Sequence, residues 1–180
     1  MKLFELFAVM LLAVALTGCA SGVRREVASE APGASASSVK LADPKVASVT
    51  LRMSDAAKER YATGTTFNPE GLRSAVERML QSRGLLSPDS KQRMDIELVS
   101  FRMRSQFSAM MWGVMAGADN VTGNVHIVGP DGKQLTKFEV SASYALGGVG
   151  GGPDATRMGW LFEEFAKLTT KELSGEVDKK

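Results

Sequence analysis

Along Val46–Met53, Val49, Leu51 and Met53 alternate with polar residues, which predicts a first strand. A polar stretch containing Lys58, Arg60, Tyr61 and Gly64 follows. The period then changes. Leu72, Ala75, Val76, Met79 and Leu80 recur at the spacing of one helix face. Asn68 stands where an N-cap belongs, Pro69 fits the first helical position, and Gly84 fits the left-handed residue that ends such a helix. From Arg93 to Arg104, Met94, Ile96 and Leu98 share a face before the pattern steps to Val99, Phe101 and Met103. A period of two that slips by one residue predicts a second strand with a bulge at Leu98–Val99. Val121, Val125 and Ile127 mark a third strand over Asn120–Val128. The turn sequence Gly129-Pro130-Asp131-Gly132 leads to a fourth over Lys133–Tyr144, where Val140, Ala142 and Tyr144 alternate. A last helix begins with Asp154 as its expected N-cap and carries Met158, Leu161, Phe162, Phe165 and Thr169 on one side.

The order β-α-β-β-β-α predicts an α+β fold, a two-layer α/β sandwich. It has about four strands in a mixed sheet and two helices on one face. The helical connection allows the first two strands to run parallel, and the later strands form a meander.

The amino terminus follows different rules. Lys2 precedes an uncharged apolar run from Leu6 to Leu16, with Glu5 an atypical acidic residue beside it. The run has the length of a secretory h-region and falls short of the ~20 residues that span a bilayer. Leu16-Thr17-Gly18-Cys19 resembles a bacterial lipobox: an aliphatic residue, two small ones, then the cysteine whose thiolate takes the diacylglycerol group. Small residues let a peptidase reach the Gly18–Cys19 bond, and two or more acyl chains on Cys19 give stable anchoring where one is marginal. Ala20, in place of an aspartate, resembles the outer-membrane sorting pattern. The expected organisation is a signal peptide over 1–18, an acylated cysteine and flexible linker over 19–45, a globular domain over 46–174 and a polar tail over 175–180. As a coil of about 25 residues the linker spans roughly 25–30 Å, so the domain can stand clear of the headgroups or fold back onto them.

Charge and reactive residues narrow the chemistry further. Among 180 residues the formal net charge is +2, without the basic stripe that marks a nucleic-acid binder. One cysteine and one histidine leave no set for a metal cluster, disulfide framework or thiol–imidazole pair. His126 alternates with Val125 and Ile127 inside a strand, as a solvent-face or cross-strand residue does. Glu163 and Glu164 are adjacent on a helix and point apart. Gly150-Gly151-Gly152-Pro153-Asp154-Ala155 fits G-x-G-x-x-A, but no further parallel strand follows, and G-K-[ST] is absent. No cofactor, nucleotide, metal or catalytic set is expected.

Two irregular segments stand out. Phe107–Ala118 is twelve residues without a charge between strands that a hairpin of 2–5 residues could join. Leu146–Pro153 is glycine-rich. In a meander both leave one edge of the sheet, and the Ser54–Phe67 connection joins them if the first strands are parallel. Met110, Met111 and Met115 are flexible and polarizable, and Trp112 is an anchor-type residue. With Tyr61 they form the candidate partner-binding surface, for a protein or a membrane interface. The alternative is a buried connection packed beneath its own sheet.

The segment Asp119-Asn120-Val121-Thr122-Gly123-Asn124-Val125-His126-Ile127-Val128, then Asp131–Val140, the glycine run and the closing helix are similar to small bacterial lipoproteins assigned to domain of unknown function 4410. The resemblance covers roughly Val46 to Leu173 and implies no catalytic residues. The resulting expectation is an outer-membrane-anchored periplasmic lipoprotein, held by Cys19, that acts as a non-catalytic binding or scaffold module for an envelope protein. An envelope enzyme acting on glycan or lipid through Asp95, Glu97 or Asp154 is one alternative. A self-associating structural lipoprotein is another.

Overall fold

A computed structural model describes residues 21–25, 41, 43–105, 107, 108, 111, 117–145 and 153–176. Its elements are β1 (Gly22–Arg25), β2 (Val49–Met53), α1 (Asp55–Ala62), α2 (Pro69–Ser82), β3 (Arg93–Arg102), β4 (Asp119–Val128), β5 (Gln134–Tyr144) and α3 (Asp154–Ser174). The fold is mixed α+β, with one sheet of five strands ordered β1-β5-β4-β3-β2. Only β2 and β3 pair in parallel; the other neighbours are antiparallel.

One face of the sheet is apolar and the other polar. Met94, Ile96, Leu98, Phe101, Val121, Val125, Ile127, Phe138, Val140 and Ala142 are buried in one core with Leu72, Val76 and Leu80 of α2 and Leu161, Phe162 and Phe165 of α3. Helix α3 lies over β4, β5 and β1, while α2 packs against α3 and β2. The opposite face carries Thr50 hydrogen-bonded to Asp95 (2.7 Å) and Thr122 paired with Ser141 (3.3 Å). That face needs no second layer, so the expected two-layer arrangement is what forms.

Local chemistry explains several boundaries. The bulge expected at Leu98–Val99 is present, since Leu98 pairs with Gly123 and Ser100 with Thr122, leaving Val99 unmatched. The extra residue moves the buried set from even to odd positions, which is why Phe101 follows Leu98 into the core. Asn68 caps α2 by accepting from Gly71 N–H (3.0 Å), with Pro69 behind it. At the far end Gly84 adopts φ 66°, Gly84 N–H reaches the Gln81 carbonyl (3.1 Å) and Leu85 N–H reaches the Leu80 carbonyl (2.8 Å). Those are the two bonds of a Schellman stop.

Four expectations need correction. Among the described residues the sheet has five strands and the fold three complete helices, in place of four and two. The added strand, Gly22–Arg25, falls inside the segment read as flexible linker. Short and lacking alternation, it gains its order by pairing with Phe138–Ser141 of β5 and by the contact of Arg25 with Glu172 of α3. The added helix, α1, buries only Ala57 and so has no apolar stripe to announce it; Ser54 caps it by accepting from Ala57 N–H (3.2 Å). Val46 precedes the first strand proper and forms an isolated bridge with Leu86. Finally, Pro153, not Asp154, stands at the N-cap of α3, its carbonyl accepting from Thr156 and Arg157 N–H. The Asp154 carboxylate is drawn away to the Arg157 guanidinium.

Candidate functional site

Strands β2, β3 and β5 finish at one end of the sheet, where β4 and α3 begin. This head end is where the three connections singled out from sequence leave the sheet. Met111 and Phe107 are exposed there, at 62% and 71%, and Tyr61 on α1 is 42% exposed. Cys19, Met110, Trp112 and Met115 lie outside the described residues, as does the glycine run over 146–152.

A buried ion cluster ties the head end together, and pattern reading missed it. Asp119, Arg104 and Arg157 are all buried. Asp119 Oδ1 accepts from the Arg104 backbone N–H (2.7 Å), and Oδ2 accepts from Arg157 Nη1 (2.8 Å) and Arg104 Nη2 (3.2 Å). Arg104 Nη1 also donates to the Gly117 carbonyl (2.7 Å), and Nη2 to that of Tyr144 (3.3 Å). Arg157 Nη2 donates to the Arg104 carbonyl (3.0 Å) and to Asp154. Two cations and two carboxylates therefore balance, and they link the ends of β3 and β5 to the starts of β4 and α3. Charges removed from water are tolerated where they are paired in this way, although Arg157 Nε is buried without a hydrogen-bond partner among the described residues. The cluster fixes where the irregular segments leave the sheet.

Beside it runs a groove of about 530 Å³ whose lining includes Ser21, Ser143, Tyr144, Trp160, Glu164 and Lys167. The Tyr144 and Trp160 rings lie 5.1 Å apart with planes tilted by 52°. Trp160 remains 43% exposed, because it sits one residue off the buried stripe of α3. The Tyr144 hydroxyl is buried and has no hydrogen-bond partner among the described residues. Burial holds its pKa above the ordinary value, with Asp119 adding to the effect and the two arginines opposing it. It is a hydrogen-bond donor at neutral pH. Ser21 closes the groove's edge, accepting from Ser143 N–H (2.9 Å) and donating to the Ser143 carbonyl (3.3 Å). The sequence reading missed Trp160; the signal that could have found it is an aromatic residue out of phase with the apolar face of its helix.

The other residues weighed from sequence are dispersed. Asp95 on the open sheet face bonds Thr50 and Arg93, whereas Asp154 sits in the head cluster. Glu164 pairs with Lys167 at 3.5 Å. His126 is half-buried on the open face, across from Lys137, with Nδ1 2.6 Å from Gln134 Oε1. Among the described residues, no group of three or more His, Cys, Asp or Glu side chains is placed to hold a metal ion. No described helix is long and apolar enough to cross a membrane.

Comparison with known proteins matches residues 33–148 to the family described as Domain of unknown function (DUF4410). No curated protein matches significantly. Among solved structures, the PelC dodecamer from Paraburkholderia phytofirmans shares the fold: TM-score 0.50 and 13% identity over 86% of this chain and 98% of that one. A variant PelC dodecamer from the same organism gives TM-score 0.49 and 14% identity over 88% and 100% of the two chains. A minor lipoprotein from Acinetobacter baumannii gives 0.41 and 11% over 72% and 93%.

Proposed function

The chain belongs to the family of domain of unknown function 4410, and on that premise we propose that it is a lipoprotein anchored through Cys19 in the outer membrane, facing the periplasm, where it recruits an envelope protein without catalysing a reaction. The observation that carries this reading is the Tyr144–Trp160 groove. A half-exposed tryptophan contributes less to its own core than a buried one does. Beside a partly buried tyrosine and a rim of Glu163, Glu164 and Lys167, it has the make-up of an interface anchor: aromatic centre, polar surround. Two of the three carboxylates that the enzyme reading names are committed elsewhere, Asp95 to Thr50 and Arg93 and Asp154 to Arg157.

The anchor half of the reading is tested by fractionating cells. The wild-type chain is expected in the outer-membrane fraction with an acylated amino-terminal peptide by mass spectrometry. Cys19→Ser is expected to leave that fraction. An unmodified Cys19 in the mature wild-type chain refutes the anchor. The recruitment half is tested by photo-crosslinking from position 160 in intact cells.

A second reading is favoured by one observation: the PelC structure that shares the fold was solved as a dodecamer. An assembly built from copies of this chain is a scaffold in its own right. Light scattering of the detergent-solubilised protein separates the readings, a mass several times that of one mature chain supporting self-assembly.

A further inference from the structure

Ala20 and Ser21 are the only residues between Cys19 and β1, and this short span decides which way the domain faces. Ser21 is fastened to Ser143 by two hydrogen bonds, and β1 continues into the sheet beside β5. An extended residue spans at most ~3.3–3.6 Å, so two residues of chain reach at most roughly 7 Å from Ser21, which is fastened at the head end. The tether that the sequence suggested is cut to two residues at its membrane side.

We infer that the head end lies against the lipid bilayer, with Phe107 and Met111 entering the headgroup region. The inference rests on the reading of Cys19 as a lipid anchor. Among the described residues Phe107 and Met111 are the two most exposed of the large apolar side chains, and both belong to the connection that leaves the sheet after Arg102 and returns at Asp119, at the same end of the sheet as the point where the anchored chain enters, with β5 between them. The opposite end exposes, among the described residues, one large apolar side chain, Leu135, set among charged tips: the β4–β5 turn presents Asp131 and Lys133, and the loop before β3 presents Asp89 and Lys91. Acyl chains held within two residues of Ser21 make the bilayer the nearest apolar phase that Phe107 and Met111 can reach. Aromatic and methionine side chains at that depth gain from leaving water. Trp160 stands six residues along α3, about 9 Å from its start at a rise of 1.5 Å per residue, which leaves the groove on the flank for a partner.

The test uses the full acylated chain in vesicles of phosphatidylethanolamine and phosphatidylglycerol that contain no other protein. Because Cys19 is the sole native cysteine and its thiol is blocked, Met111→Cys or Lys133→Cys each provides a single site for a nitroxide label. Relaxation by dissolved oxygen, concentrated in lipid, is compared with relaxation by a water-soluble nickel chelate. Oxygen is expected to dominate at 111 and the chelate at 133. Equal chelate access at both positions overturns the orientation. Reduced access to both reagents at 111 also overturns it, since a second protein copy shields from both. Flotation separates the two levels of failure. A chain that floats with the vesicles but keeps 111 in water loses the orientation alone, whereas one that does not float loses the anchor as well.

Discussion

Asp119→Asn is expected to cost about 3–5 kcal/mol of folding stability, the range for breaking a buried ion pair from one side. The substitution keeps the side chain's size, and its amide oxygen still accepts from the Arg104 backbone. It removes a carboxylate that faces both guanidinium groups, leaving Arg157 to Asp154 and Arg104 with the Gly117 and Tyr144 carbonyls among its partners. Single domains have about 5–15 kcal/mol in total, so a loss of this size removes a large share. Urea denaturation of the soluble domain reads it directly. The cluster also makes a second-order prediction: Arg157→Met costs less in the Asp119→Asn background than in the wild type, because the charge it removes has already lost its main partner. A loss below about 1 kcal/mol for Asp119→Asn contradicts the account of the cluster, since surface pairs are worth that little.

Phe165→Ala is expected to cost a similar 3–5 kcal/mol, by cavity formation in place of charge imbalance. Phe165 is fully buried and lies directly on the backbone of β4 at Gly123, where a Cβ would come within 3.1 Å of its Cζ and 3.3 Å of the Glu97 carbonyl oxygen. Gly123 is therefore kept small by the ring above it. Gly123→Ala alone overpacks the site and is expected to cost about 1–3 kcal/mol. Combined with Phe165→Ala it occupies part of the vacated space, and the two losses add to less than their sum. Strict additivity in a double-mutant cycle contradicts the packing described.

Much of this architecture could be read from the residues. Amphipathic spacing marked the buried faces of α2 and α3, the Asn68-Pro69 start was visible, and a one-residue slip placed the bulge at Val99. These signals are local, set by periods of two and 3.6 and by cap chemistry. What escaped is long-range or runs against type. Strand β1 owes its existence to a partner more than a hundred residues away, and four residues reading Gly-Val-Arg-Arg give no alternation. Helix α1 rests on its Ser54 cap and one buried alanine. Arg104, Asp119 and Arg157 are charged residues that a pattern reading assigns to the surface, and only the tertiary fold shows that they neutralise one another.

The candidate site was legible in outline. The head end was expected as the place where irregular segments gather, and Met111 and Phe107 are exposed there. The groove was not foreseen, because Tyr144 was counted with the core of β5 and Trp160 stood outside every apolar stripe. The family resemblance rested partly on the stretch Asp119–Val128. Two of its residues now have physical roles: Asp119 neutralises a buried arginine pair, and Gly123 makes room for Phe165.

The most direct test of the recruitment reading places a photo-reactive amino acid at position 160 in living cells, with the chain otherwise native. The account predicts one discrete adduct with another envelope protein, lost when Cys19→Ser releases the chain from the membrane. Crosslinks confined to the chain itself, with no adduct to another protein, would show that Trp160 packs against its own domain and would contradict the account.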